Sequence, residues 1–143
     1  MLHADVTITI FNARPGDDRR DVFYPTVIRG VAYYEAMQMN GVTSLTHDEE
    51  FWIRIPGDAE IQADRQYIDA EKYQLLPAAD LASYWTIQTG DYVTTDSITE
   101  APEERDIKKF LRETGRKVIQ VVSYADNTKR ASPIMRHWRI GGA

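Results

Sequence analysis

The strongest constraint on the fold is a strict alternation near the N-terminus. Val6, Ile8 and Ile10 are separated by Thr7 and Thr9, so every residue from 6 to 10 is β-branched. Such side chains crowd a helix and fit a pleated surface, and a period of two gathers the apolar set on one face. Residues 5–11 are therefore predicted as a strand. The stretch that follows, Asn12-Ala13-Arg14-Pro15-Gly16-Asp17-Asp18, reads as a turn, with Pro15-Gly16 its strongest punctuation. A longer β-rich run covers residues 24–39, where period-two spacing puts Val27, Val31 and Tyr33 on one face and Ile28, Ala32 and Tyr34 on the other. Gly30 in its middle predicts a bulge or a close backbone approach. A long strand that is apolar on both faces belongs inside a barrel or sandwich, not at an edge. Asn40-Gly41 then signals a tight turn.

Further strands are predicted at 51–55, where Phe51, Ile53 and Ile55 share a face, and at 84–87 and 92–95 around Thr89-Gly90-Asp91. Residues 59–82 fit neither period and are expected to be irregular, with a short helix after Pro77. One helix is expected over 102–114. Pro102 suits its first position, Glu103 and Glu104 complement the dipole, and Ile107, Phe110 and Leu111 form an i, i+3, i+4 stripe that Gly115 ends. Strands at 117–124 and 134–140 follow, the second with Ile134, Trp138 and Ile140 facing inward. The chain is thus expected to be mainly β: a small antiparallel β-barrel or sandwich, with one α-helix inserted before the C-terminal strand pair. With 143 residues it is expected to be a single domain, 1–143.

Charge is distributed unevenly. Residues 1–100 carry seven Lys/Arg against seventeen Asp/Glu, and residues 101–143 carry ten against five, so the net of −5 is the remainder of −10 and +5. This reads equally as a solvated helix face with a basic hairpin, or as two surfaces of opposite sign. Lys108, Lys109, Arg112, Arg116 and Lys117 gather around the expected helix, while Lys129, Arg130, Arg136 and Arg139 follow it. Clustered basic residues can neutralise phosphates, so a nucleic-acid-binding module is the alternative reading. The sequence pI of about 5.2 argues against general duplex binding. A basic face meeting an acidic face on a neighbouring copy accounts for both halves of the split, and head-to-tail contacts of that kind close into rings.

Motifs for chemistry are scarce. The absence of cysteine excludes a disulfide scaffold, a thiolate nucleophile and any cysteine-ligated metal. No serine has the flanking glycines of a nucleophile elbow, and no glycine-rich phosphate loop occurs. His47-Asp48-Glu49-Glu50 is the densest run of metal-ligand types, but it lacks the spacing and glycine of a calcium loop. It reads better as a solvated acidic loop than as a hydrolase metal site. His3 lies near the terminus, and alternation puts His137 on the face opposite Trp138. Glu35 is the one carboxylate expected near an apolar setting, and a rim position explains it. The chain is read as a non-enzyme with no cofactor and no metal. It has neither a signal-peptide pattern nor an apolar run approaching the roughly 18 residues of a membrane span.

Three stretches resemble small proteins encoded among the head and neck genes of tailed bacteriophages and prophages. The first is Asp5-Val6-Thr7-Ile8-Thr9-Ile10-Phe11-Asn12 with Tyr24-Pro25-Thr26-Val27-Ile28-Arg29-Gly30-Val31. The second runs from Tyr84-Trp85-Thr86-Ile87 to Gly90-Asp91-Tyr92-Val93. The third runs from Ser123-Tyr124-Ala125-Asp126-Asn127 through Arg136-His137-Trp138-Arg139-Ile140-Gly141-Gly142. The resemblance implies a β-barrel head–tail connector of head-completion or stopper type, with no catalytic residues. Such a protein would form a ring of copies between portal or adaptor and tail proteins, near packaged DNA. Its place would be the virion neck, or the host cytoplasm during assembly. The loops 12–20, 40–50 and 126–132 are the expected contacts. Arg14, Asp17, Arg19, Asp48, Glu49, Lys108, Lys109, Arg112, Lys129, Arg130 and Arg136 are the expected interface residues.

Overall fold

The computed structural model describes residues 5–16, 21–35, 51–99, 107–113, 115, 117–129, 132 and 135–143. The described strands are β1 (Val6–Pro15), β2 (Asp21–Glu35), β3 (Phe51–Pro56), β4 (Glu60–Ile61), β5 (Gln66–Tyr67), β6 (Tyr84–Trp85), β7 (Tyr92–Thr94), β8 (Ile119–Asp126) and β9 (His137–Gly142). The described helices are α1 (Ala70–Leu75) and α2 (Ile107–Glu113), with 3₁₀ turns at Gln62–Asp64 and Ala78–Ser83. None of these helices is long and apolar enough to cross a membrane. The large sheet runs β1-β7-β8-β9-β3-β2-β4 and is antiparallel. Because β1 also pairs with β2, it partly closes into a barrel. The mainly β class, with a helix before the C-terminal strand pair, is as expected, whereas α1 lies in the stretch expected to be irregular.

The barrel interior follows from the alternation. Ile8 and Ile10 of β1, Ile28 and Val31 of β2, Ile53 and Ile55 of β3, Val93 of β7, Ile119 and Val121 of β8 and Ile140 of β9 form one buried cluster. Gly30 bears out the expected bulge and changes the predicted faces. Val6 pairs with Val31 and Thr7 with Arg29, so Gly30 is the extra residue, held at φ +80° where a side chain would be strained. One inserted residue flips the pleat. Val31 and Tyr33 therefore join Ile28 inside, rather than Val27 as an unbroken period of two required.

The turn expected from residue 12 onward begins later. Asn12 to Pro15 extend β1, with Asn12 opposite Tyr24 and Pro15 opposite Asp21. Pairing along a neighbouring strand outweighs the local preference of these residues for turns. The described part of the expected helix is Ile107–Glu113, and 102–106 lie outside the described residues. Gly115 ends it at φ +73°, its N–H donating to Arg112 O at 3.0 Å. Ile107 and Leu111 of α2 pack with Phe11 of β1 and Phe23 of β2 in a second cluster, so α2 covers the outer side of the β1–β2 pair.

The irregular 59–82 stretch is ordered by side chains reaching distant backbone. Gln62 Oε1 accepts from Val27 N at 2.9 Å, and Gln74 Nε2 donates to Ala13 O at 2.9 Å. Arg65 Nη1 donates to Pro25 O and Thr26 Oγ1, and its Nε donates to Ala82 O. These anchors lay the segment across the barrel end where β1 finishes and β2 begins. Beneath it Trp85 meets Tyr67 at 5.1 Å and Trp138 at 5.0 Å, both edge-on, and seals that end with aromatic surface. The opposite end carries Tyr33 stacked on Phe51, with centroids 6.1 Å apart.

Candidate functional site

The most buried carboxylate among the described residues lies beneath the end cap. Asp91, 3% exposed, follows the Gly90 turn and points at the end of β1. Its Oδ2 accepts from Asn12 Nδ2 at 3.0 Å and Gln88 Nε2 at 2.9 Å, and its Oδ1 from Ala13 N at 3.2 Å. Burial pushes its pKa up to about 6 against the pull of these three donors. A cleft of about 520 Å³ opens beside it, lined by Gln74, Gln88, Gln120, Asp21 and the rings of Phe23 and Tyr92. The carboxylate is held on three sides. Asn12 and Ala13 are thereby tied to the Gly90 turn through this one carboxylate. Among the described residues no group of three or more His, Asp or Glu gathers to hold a metal ion.

The expected interface residues that are described lie on several different elements. Arg14 is half-buried, its guanidinium 6.0 Å from the ring centroid of buried Tyr73, so it belongs to the cap packing. Lys109 and Arg112 are exposed on α2, and Lys108 lies in the same helix. Lys129 and Arg136 are exposed near the β8–β9 connection. Asp17, Arg19, Asp48, Glu49, Arg116 and Arg130 lie outside the described residues, as do His47 and Glu50. Lys117 forms an ion pair with Glu35 and sits 4.5 Å from the Phe51 ring centroid, while Tyr33 donates to the same Glu35 oxygen. Glu35 is thus at a rim, as expected. His137 Nδ1 lies 2.8 Å from Met135 O and so carries the proton, which leaves Nε2 to accept from Asn127 Nδ2 at 3.2 Å.

A basic pair that spacing alone does not reveal lies on the barrel wall. Register places Arg54 of β3 directly opposite Arg139 of β9, with Ala32 of β2 and Ala125 of β8 completing the row. The neighbouring row runs Tyr34, Trp52, Gly141, Ser123. Both rows alternate with inward Ile53, Ile55 and Ile140, so they face outward. Arg139 is exposed and Arg54 half-exposed, and neither makes an ion pair among the described residues. The outward orientation of each arginine is readable from alternation; their juxtaposition requires the register.

The chain matches, over residues 3–143, a family described as a family of unknown function, DUF6751. It belongs to that family. No curated protein and no solved structure matches it. In this DUF6751 chain the strand order sets β9 across the barrel from β1. The Arg54–Arg139 wall and the exposed basic residues of α2 therefore lie on opposite sides. The end cap carries the other sign. Asp58, Asp64, Asp69, Glu71 and Asp80 are all exposed there, with Lys72 among them. Glu60 is engaged by Arg29 at 3.6 Å.

Proposed function

We propose that this protein is a structural component that works through protein–protein contacts in a ring, as a head–tail connector of a tailed phage or prophage. The observation that carries the reading is the segregation of exposed charge. Exposed Asp58, Asp64, Asp69, Glu71 and Asp80 outnumber Lys72 and Arg136 at the end cap, while Arg54 and Arg139 face each other on the β3–β9 wall. Complementary patches on different parts of one subunit favour heterologous contacts, which close into rings when the rotation between copies allows it. The sequence resemblance to neck proteins supplies the assembly: portal-side and tail-side neighbours above and below such a ring. Electron microscopy of particles produced without this protein tests the reading. Filled heads that fail to retain DNA or to acquire tails are expected; normal tailed, DNA-filled particles would sink it.

A further inference from the structure

Resting on that reading, we infer that the Arg54–Arg139 wall docks on the acidic end cap of a second copy of this chain. Two arginines directly opposite each other on an antiparallel pair repel, and like charges so placed weaken a sheet. Among the described residues no carboxylate offsets them. A carboxylate placed between two guanidinium groups removes that repulsion and gains charge-assisted, planar hydrogen bonds that a lysine pair would not give. Tyr34, 39% exposed, and half-exposed Trp52 flank the arginines in the next row, supplying apolar area beside the charges. That combination, aromatic side chains with arginine, is typical of the centre of an interface.

The occupant follows from charge and geometry. The cap of each copy presents Asp64, Asp69, Glu71 and Asp80 to solvent. It is tied across the barrel end by Arg65 and Gln74, whereas Arg54 and Arg139 lie on the side wall. No ion pair joins cap to wall within one chain among the described residues. The two patches are therefore available to different neighbours, each copy offering one of each, which is the requirement for head-to-tail growth.

Sedimentation velocity of the full chain provides the test. At low salt the wild type is expected to self-associate, and at about 0.5 M salt to dissociate, because charged contacts are screened. R54E/R139E and, separately, D69K/E71K are each expected to weaken self-association by at least about tenfold, and a one-to-one mixture of the two to restore it. R54Q/R139Q is the milder companion, with circular dichroism and melting temperature showing that each variant folds. A wild type that stays monomeric at low salt, or wall variants that associate like the wild type, overturns the proposal. R54E/R139E that loses DNA binding while self-association is unchanged assigns the wall to nucleic acid and overturns it too. Particles that assemble normally with R54E/R139E, but not without the protein, reject this interface and leave the connector reading standing.

Discussion

Asn12 exchanges two hydrogen bonds with the backbone of Thr86: Nδ2 donates to Thr86 O at 2.7 Å, and Oδ1 accepts from Thr86 N at 3.2 Å. One side-chain amide thereby does what a neighbouring strand would do. It allows residues 86–88 to leave β6 and cross the barrel end without exposing buried backbone to an apolar interior. The same Nδ2 donates to Asp91, so strand β1, the 86–88 crossing and the Gly90 turn meet at one residue.

Asn12→Ala should therefore destabilise well beyond the loss of one contact. Thr86 is fully buried, and its N–H and C=O would both lose their partner. A buried group left unsatisfied costs roughly 1–3 kcal/mol. Urea unfolding followed by tryptophan fluorescence should show a loss in or above that range, with an unchanged slope. A change below about 0.5 kcal/mol, the size of an ordinary surface substitution, would mean that Asn12 does not hold this crossing.

Asp91 makes stability depend on pH in a stated direction. Its pKa rises from 3.8 to about 6 on folding, chiefly because burial disfavours the charge. The folded state then binds the proton more tightly than the unfolded chain. This group's contribution is fully present below pH 3.8 and is lost as pH rises through 6. The loss is on the order of 3 kcal/mol, because each tenfold gain in proton affinity is worth about 1.4 kcal/mol. Carbon-detected NMR titration of the side-chain carboxyl should give a midpoint near 6, and a midpoint below 4 rejects the assignment. Asp91→Asn should remove the pH-dependent component. It should also destabilise at every pH, because its amide would set a donor against groups that themselves donate.

The alternation at Val6–Ile10, Phe51–Ile55 and Trp138–Ile140 is enough to predict three strands and their inward faces, because period two survives wherever one face is buried. Gly30 can be read as a bulge, but the face flip it causes cannot be placed without the register. The cap is illegible for a different reason. Gln62, Arg65 and Gln74 reach backbone groups on β1 and β2 that lie 35 to 61 positions away, and such anchors leave no periodicity. Local chemistry makes turn residues of both Asn12 and Asp91, and their mutual contact spans 79 positions. The wall pair is hidden in the same way, since Arg54 and Arg139 are adjacent only through the β3–β9 register.

Gly142 is confined by close approach. A methyl group there would overlap Ile119 Cγ2 and lie 3.0 Å from Gln120 O. The strand cannot retreat easily, because Gln120 and Ala143 exchange backbone hydrogen bonds at 2.9 and 3.0 Å. Gly142→Ala should cost about 1–3 kcal/mol, as overpacked interiors generally do. In an Ile119→Ala background the same substitution should cost less, since the overlapping methyl is gone. A double-mutant cycle measures this, and additive losses would place the strain elsewhere.

Lys117 should matter little to stability although it makes several contacts. Its ammonium pairs with Glu35, lies 4.5 Å from the Phe51 ring centroid and 5.7 Å from that of Tyr33. Both charged side chains remain well exposed, at 36% and 52%. Exposed ion pairs contribute about 0–1 kcal/mol, and an exposed cation over a ring about 0.5–1 kcal/mol. Lys117→Met keeps most of the apolar stem against Phe51 and should therefore cost no more than about 1 kcal/mol. Part of that loss should disappear in high salt. Lys117 also belongs to the basic cluster that the nucleic-acid reading uses. Under the nucleic-acid reading, Lys117→Met should lower DNA affinity and flatten its salt dependence by about one counterion. Under the wall-to-cap proposal it should leave self-association unchanged, while R54E/R139E weakens it by at least about tenfold. Sedimentation and DNA mobility shifts on the two variants, run side by side, separate the outcomes.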